Sequence, residues 1–381
     1  MFFETWRLMR ENYWKEEKIS KFWDKVRKKY LPLVDLVSSR FEMSDLLKEM
    51  QGETGTSHSY ERGGEIYRSS YPKIGKLGCS FKYSNGKYLF DQIYCGDPSN
   101  IPERSPLLAS GVDIKTGDEL LAINGHKVGK DYPPGKALED LSGTVITLET
   151  RRGSKTLKQP VRSLGSELNL IYRNWVENNR KLVRQKFGEK VGYIHIPDMM
   201  AKGFSEFHRQ YIFEWDKPSI IVDVRFNGGG HVSHLLLEKL SRRLIGFDLP
   251  RRGPPSHYPL YAVRGGIVAI TNEFAGSDGD IFSHSFKLMG LGDLIGERTW
   301  GGVIGISPRR QLVDRTMITQ PQYAFWFKDV GFGVENYGTD PTIRLDNAPG
   351  DYLRNRDPQL EKAGQIALKL AERAVKVPTK D

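Results

Sequence analysis

Ser277 sits where a hydroxyl can be made to attack. It lies in Ile267–Gly279, which reads IVAITNEFAGSDG. The β-branched and apolar run Ile267 to Ile270 predicts a buried strand. The small-residue turn Ala275-Gly276-Ser277-Asp278-Gly279 follows, and then Ile281, Phe282, Phe286 and Met289 recur at near-helical spacing. A serine on a strand-to-helix turn lies at the positive end of a helix, beside backbone N–H groups. There an attacking hydroxyl and an oxyanion hole are most readily built together. The same residue also reads as an N-cap, with Asp280 completing a capping box. On this stretch alone the two readings are even.

A second stretch, Ile220-Ile221-Val222-Asp223-Val224-Arg225-Phe226-Asn227-Gly228-Gly229-Gly230, ends a buried strand in three glycines before a helix. Glycines with unspent N–H groups at a helix start suit an anion or oxyanion. No Gly-Lys-Ser/Thr follows, which argues against a phosphate loop. A tight turn without function is the plainer reading, and three consecutive glycines weaken it. His231 and His234 have the i, i+3 spacing of a metal pair, but no third ligand is evident. No metal or cofactor is expected.

These residues need elements to hold them. Within residues 2–51, Phe2, Phe3, Trp6, Met9 and Tyr13 recur at helical spacing. A second helix is expected from Ile19 to Tyr30, ending before Pro32, and a third after Ser44 as N-cap, through Leu46, Leu47 and Met50. From residue 73 to 165, glycines punctuate short β-like runs such as Cys79–Tyr83 and Lys87–Tyr94. A helix near Lys136–Leu141 and a strand Thr144–Thr150 are expected there. From 166 onward strands and helices alternate: Glu167–Phe187 helical, Val191–Ile196 strand, Phe204–Glu214 helical, Ser219–Phe226 strand, His231–Ile245 helical, and a last amphipathic helix Gln359–Val375. Repeated βα units imply a mainly parallel sheet covered by helices.

The chain of 381 residues is long enough for two or three domains. Its net charge of +10 comes from clusters at Lys15–Lys29, Arg151–Lys158, Arg173–Lys186 and Arg242–Arg252. Acidic residues interleave with them, and no nucleic-acid module is visible, so solvated faces are expected rather than nucleic-acid binding. No apolar run reaches the length of a membrane span. The start MFFETWRLMREN has no signal-peptide pattern, and Cys79 and Cys95 give no disulfide framework. A cytoplasmic setting is expected, with both cysteines as buried free thiols.

Ser110-Gly111-Val112, followed by Gly117-Asp118-Glu119-Leu120-Leu121-Ala122-Ile123-Asn124-Gly125, resembles the core of a PDZ domain. In that family an extended peptide adds a strand at the sheet edge. The loop Gly75–Cys79 is the implied carboxylate-binding segment, although Ile74-Gly75-Lys76-Leu77-Gly78 departs from the usual Gly-Leu-Gly-Phe. Asp223-Val224-Arg225-Phe226-Asn227-Gly228-Gly229-Gly230, the Ser277 turn and Gly296-Glu297-Arg298-Thr299-Trp300-Gly301-Gly302 together resemble the S41 serine peptidase family. One branch of that family places a lysine base where this chain has Gly302. Gly55-Thr56-Ser57-His58-Ser59-Tyr60-Glu61 instead resembles the catalytic histidine segment of the tricorn branch.

The resemblance implies that Ser277 is the nucleophile and His58 its general base. Ser57 and Glu335 polarise the histidine, and the N–H groups of Gly230 and Asp278 form the oxyanion hole. Asp248 falls at the family's acidic specificity position, which implies Lys or Arg before the cleaved bond. The implied fold is α/β (α+β, multidomain). Residues 1–72 form a helical segment supplying Ser57-His58, 73–165 a PDZ-like β domain, and 166–381 a crotonase/ClpP-like αβ peptidase core. The family's β-propellers have no counterpart here, so a fragment or a shorter relative is expected. The implied activity is endopeptidase cleavage of peptides or unfolded chains downstream of a proteasome, with aminopeptidases as partners and a hexameric homo-oligomer. The competing readings are a PDZ peptide-binding scaffold on a degenerate peptidase fold and a crotonase-like acyl-CoA enzyme.

Overall fold

Five short strands, nearly all apolar, make the centre of the computed structural model, which describes residues 1–65, 72–97, 103–306 and 310–379. Their order is Ile343–Arg344, Leu294–Gly296, Ile267–Thr271, Ser219–Asp223, Val191–His195, and every pairing is parallel. The three strands from 191, 219 and 267 are buried along their whole length, which explains their near-continuous apolar sequence. Helices Ala201–Glu214, Ser233–Leu240 and Asp278–Leu288 pack Phe207, Leu236, Phe282 and Phe286 against Ile194, Val222 and Ala269. Because the strands run parallel, the loops after Asp223 and Thr271 leave neighbouring strands at the same edge of the sheet. The two candidate loops of the sequence are therefore neighbours.

The same compact unit, Met1–Tyr67 with Leu182–Asp381, includes the N-terminal helices. Phe2–Asn12 and Glu16–Val34 bury Phe2, Trp6, Met9, Ile19, Trp23 and Val26 on facing stripes. Trp6 and Trp23 exchange indole hydrogen bonds onto each other's carbonyls at 3.0 and 2.8 Å. Leu312 and Ile318, far along the chain, complete this core. The second helix does not end before Pro32; it runs to Val34 with Pro32 inside its last turn. The third helix begins earlier than expected. It spans Arg40–Gly52 with Ser39 as N-cap, and Ser44 is a buried interior residue.

The second unit, Arg68–Lys181, is an antiparallel β structure. Its sheet runs Cys79–Ser84, Lys87–Ile93, Glu119–Ile123, Val145–Arg152, Lys155–Arg162, with His126–Lys127 paired beside the third. Its own core includes Leu77, Phe90, Ile123, Ile146, Leu148 and Val161. The expected helix near Lys136–Leu141 is a single turn, Pro134–Ala137. In the implied carboxylate loop three N–H groups are already spent. Gly75 donates to Leu138 (2.8 Å), Lys76 to Leu164 (2.8 Å) and Gly78 to the Glu167 carboxylate (3.1 Å). Cys79 is buried, which pushes its thiol pKa up, whereas Cys95 is exposed rather than buried. Residues 66–71, at the end of the expected 1–72 segment, lie outside the described residues. Among the described residues no helix is long and apolar enough to cross a membrane.

Candidate active site

Ser277 adopts φ +58° and ψ −120° as the residue before helix Asp278–Leu288. A non-glycine residue held there costs about 1–3 kcal/mol and persists only where its surroundings impose it. The imposing group is Asp280. Its buried carboxylate accepts the N–H of Ser277, of Gly301 (2.8 Å) and of Gly302 (3.3 Å), and the hydroxyl of Thr299. Burial raises this carboxyl to about 6 despite those donors. Half of the expected capping box is thus made, but the other half is not: the Ser277 hydroxyl makes no capping bond.

The glycine loop lies against this turn. Gly229, at φ +77°, approaches so closely that a Cβ there would fall 2.5 Å from Ser277 Cβ and 3.1 Å from Asp278 N. Gly228 spends its N–H on Pro197 (3.3 Å) and Gly229 on the Asn227 side chain (2.9 Å). Among the described residues the N–H groups of Gly230 and Asp278 meet no acceptor in the protein. Asn272, just past the strand, ties both loops by accepting the N–H of Phe226 (2.9 Å) and Phe274 (3.3 Å).

His58 arrives from the N-terminal segment. The strand after it, Glu61–Gly63, pairs antiparallel with Thr316–Ile318. Thr319 Oγ1 donates to the His58 carbonyl (2.5 Å) and accepts the Tyr60 N–H (2.7 Å). His58 is 8% exposed, with its ring edge-on to Tyr60 and Trp300 at 5.6 and 5.4 Å. Nδ1 lies 2.9 Å from Ser57 Oγ, which lies 3.0 Å from Glu335 Oε2. Glu335 also accepts the N–H groups of Ser57 (2.7 Å), Val303 (2.8 Å) and Ile304 (3.2 Å). The tautomer follows by counting protons. A carboxylate only accepts, so the single Ser57 hydroxyl proton goes to Glu335, and Ser57 Oγ must accept from Nδ1–H. That leaves Nε2 with its lone pair. Burial lowers the His58 pKa below its ordinary value; Glu335 opposes this and Arg62 adds to it.

Ser277 Oγ and His58 Nε2 are not hydrogen-bonded to each other among the described residues. Such contacts commonly tighten only around a substrate. Trp300 spans the two sides. Its backbone N–H donates to the Ala275 carbonyl (3.0 Å), and its indole occupies the space beside Gly276 and Gly302, where a Cβ would come within 2.8 and 2.2 Å of the ring. A side chain at 302 would run into that indole, which gives a physical reason for glycine there. A polar cleft of about 600 Å³ opens beside Trp300, lined among others by Glu273, Thr299, Tyr337 and Asp346.

Asp248 ends the strand Gly246–Asp248, which pairs with Ser256–Tyr258. It is exposed, and no hydrogen bond or ion pair of the described residues joins it to the Ser277 turn. Among those residues no group of three or more His, Cys, Asp or Glu could hold a metal ion. Sequence reasoning missed Trp300, Thr319 and the N–H groups of Val303 and Ile304. Only Trp300 had a signal, its place within the Gly-Glu-x-Thr-x-Gly stretch.

Residues 190–345 match the description Peptidase family S41, residues 75–166 Tricorn protease PDZ domain, and residues 1–52 Tricorn protease C1 domain. The chain is 47% identical over 369 residues to the tricorn protease of Thermoplasma volcanium, across 97% of this chain and 36% of that protein. It is 49% identical over 369 residues to the tricorn protease homolog of Saccharolobus solfataricus, across 96% of this chain and 34% of that one. It is also 47% identical to a putative tricorn-like protease C-terminal subunit of Sulfurisphaera tokodaii, across 98% and 43%. A crystal structure of the tricorn protease superposes with a TM-score of 0.92 at 46% identity, covering 98% of this chain and 36% of that one. The chain thus spans between 34% and 43% of the length of these relatives.

Proposed function

We propose, from the match of residues 190–345 to peptidase family S41 and of residues 75–166 and 1–52 to the tricorn protease PDZ and C1 domains, that the chain is a serine endopeptidase that hydrolyses peptides and unfolded polypeptides to short peptides. The observation that carries this reading is the Glu335–Ser57–His58 relay, which leaves His58 Nε2 as an unspent base. In the proposed reaction Ser277 Oγ attacks the scissile carbonyl carbon while Nε2 takes its proton. The oxygen of the tetrahedral intermediate lies between the N–H groups of Gly230 and Asp278, each contributing roughly 3 kcal/mol. Ser57 and Glu335 stabilise the imidazolium. The C–N bond then breaks as Nε2 returns the proton to the leaving amine. Water, deprotonated by the same nitrogen, releases the acyl group from Ser277.

Finer features are proposed with it. The chain is divided as helical segment 1–72, PDZ-like domain 73–165 and peptidase core 166–381. Asp248 selects Lys or Arg before the cleaved bond, and the subunits associate into a homo-oligomer, a hexamer as the family resemblance implies. The protein works in the cytoplasm downstream of a proteasome, with aminopeptidases finishing its products. Fluorogenic peptides with Lys, Arg or Leu at the cleaved position test these claims. Hydrolysis by the wild type and its loss in Ser277→Ala are expected. Hydrolysis retained by Ser277→Ala overturns the mechanism, and an unchanged basic-over-neutral preference in Asp248→Ala overturns that assignment.

A further inference from the structure

Two oxyanion donors cooperate only if both N–H groups aim at one point, within roughly half an ångström of the productive geometry. Here they come from separate loops, Gly230 after the strand Ser219–Asp223 and Asp278 after the strand Ile267–Thr271. The proposed function accounts for each donor but not for what fixes one against the other. On the sheet side, the Asn227 carbonyl accepts the Gly276 N–H at 3.0 Å. On the far side, the carboxylate of Asp278 reaches across. Oδ2 accepts the Ser233 N–H at 3.0 Å and Oδ1 accepts the Ser233 hydroxyl at 2.5 Å. Both residues are buried. Ser233 stands three residues past Gly230 and begins helix Ser233–Leu240. Between them His231 donates to the Met199 carbonyl at 2.8 Å, so the chain from Gly230 to Ser233 is held along its length.

We propose that the Asp278 carboxylate and Ser233 form a clamp that sets the Gly230 N–H in register with the Asp278 N–H. Ser233 is then a positioning residue of the oxyanion hole, and Asp278 serves it twice, by its backbone as donor and by its side chain as brace. Charge-assisted hydrogen bonds to a buried carboxylate are short and directional, which suits a brace. The inference rests on the oxyanion hole of the proposed function.

Its test uses the full chain with Ser233→Ala and Asp278→Asn, their double variant, and wild type. Labelled Ser277 is first titrated with a fluorophosphonate, so that rates are expressed per competent site. Peptide hydrolysis and inhibition by a peptide aldehyde, whose hemiacetal oxygen enters the oxyanion hole, are then measured. Loss of a donor lowers kcat by about 10²–10³-fold, so a misaimed one is expected to cost on the order of 10-fold in Ser233→Ala and more in Asp278→Asn. Aldehyde affinity should fall in the same proportion while KM stays within about twofold, and the double variant should be less than multiplicative because both changes break one clamp. A purely structural role would lower the titratable fraction and leave kcat per site unchanged, and that result overturns the clamp. If Asp278→Asn does not fold, Ser233→Ala alone decides by the same criterion. If wild type takes no label, the serine peptidase reading fails instead, and the clamp falls with it.

Discussion

As the proposed base, His58 works only while Nε2 is unprotonated, so activity should disappear as pH falls through its folded pKa. Burial places that pKa below the ordinary histidine value of 6.5. The acid limb of kcat/KM is therefore expected below 6.5. Glu335→Gln removes the charge that opposes burial, so the limb should move lower still, with kcat reduced on the order of 10³-fold as the relay is lost. Arg62→Gln should move it up. A limb that rises in Glu335→Gln contradicts the relay. Asp280 gives a separate signature. Its carboxyl is raised from 3.8 to about 6, so the native state holds the proton longer than the unfolded chain. Stability should fall as pH rises between those values, and Asp280→Asn should flatten that slope in a Tm series. At residue 302 the indole of Trp300 stands in the way, so Gly302→Lys should not rescue His58→Ala in a hydrolysis assay. The sequence stretch around Ser277 fitted a cap and a nucleophile equally. In the structure only half of the cap forms: Asp280 takes the Ser277 N–H while the hydroxyl stays uncommitted. The local pattern encodes the first but not the second.

The elements around the site were legible in proportion to how local their causes are. Strands 191, 219 and 267 announce themselves by apolar runs, and the glycine turn by its φ +77° requirement at Gly229. The start of the third helix was misread although its signal is local. Ser39-x-x-Glu42 is a capping box pattern, with Ser39 Oγ accepting the Glu42 N–H at 3.2 Å and Glu42 accepting the Ser38 N–H at 2.7 Å. Ser44 has a different task, which depends on distant partners. It bonds Arg40 (2.6 Å) and Glu61 (2.8 Å), while Arg40 also pairs with Glu61 (2.8 Å) and Asp314 (2.6 Å). This cluster fastens the strand that follows His58. Arg40→Met should leave Asp314 unpaired and Glu61 with only the longer Lys48 pair (4.0 Å), and cost about 3 kcal/mol, measured by urea unfolding. A loss under about 1 kcal/mol would show that the cluster is not holding that strand.

At the scale of the molecule, the proposed base His58 and the proposed nucleophile Ser277 lie more than two hundred residues apart in sequence yet belong to one compact unit. The pairing that achieves this, Glu61–Gly63 with Thr316–Ile318, involves strands of three residues each, too short to read from periodicity. The N-terminal helices share their core with Leu312 and Ile318, so residues 1–65 expressed alone should lack a cooperative unfolding transition. Residues 72–181 contain a complete sheet and core and should fold alone, as judged by circular dichroism and a cooperative melt. Under the proposed mechanism, activity requires residues 1–65 to be assembled with the Ser277 region of the same unit, because they carry His58. The most direct measurement is fluorophosphonate labelling of the full chain, with the modified residue located by mass spectrometry. The account predicts label on Ser277 in wild type, and label slowed by at least about 10²-fold in folded His58→Ala. Label at another residue, or equal rates in the two proteins, would contradict it.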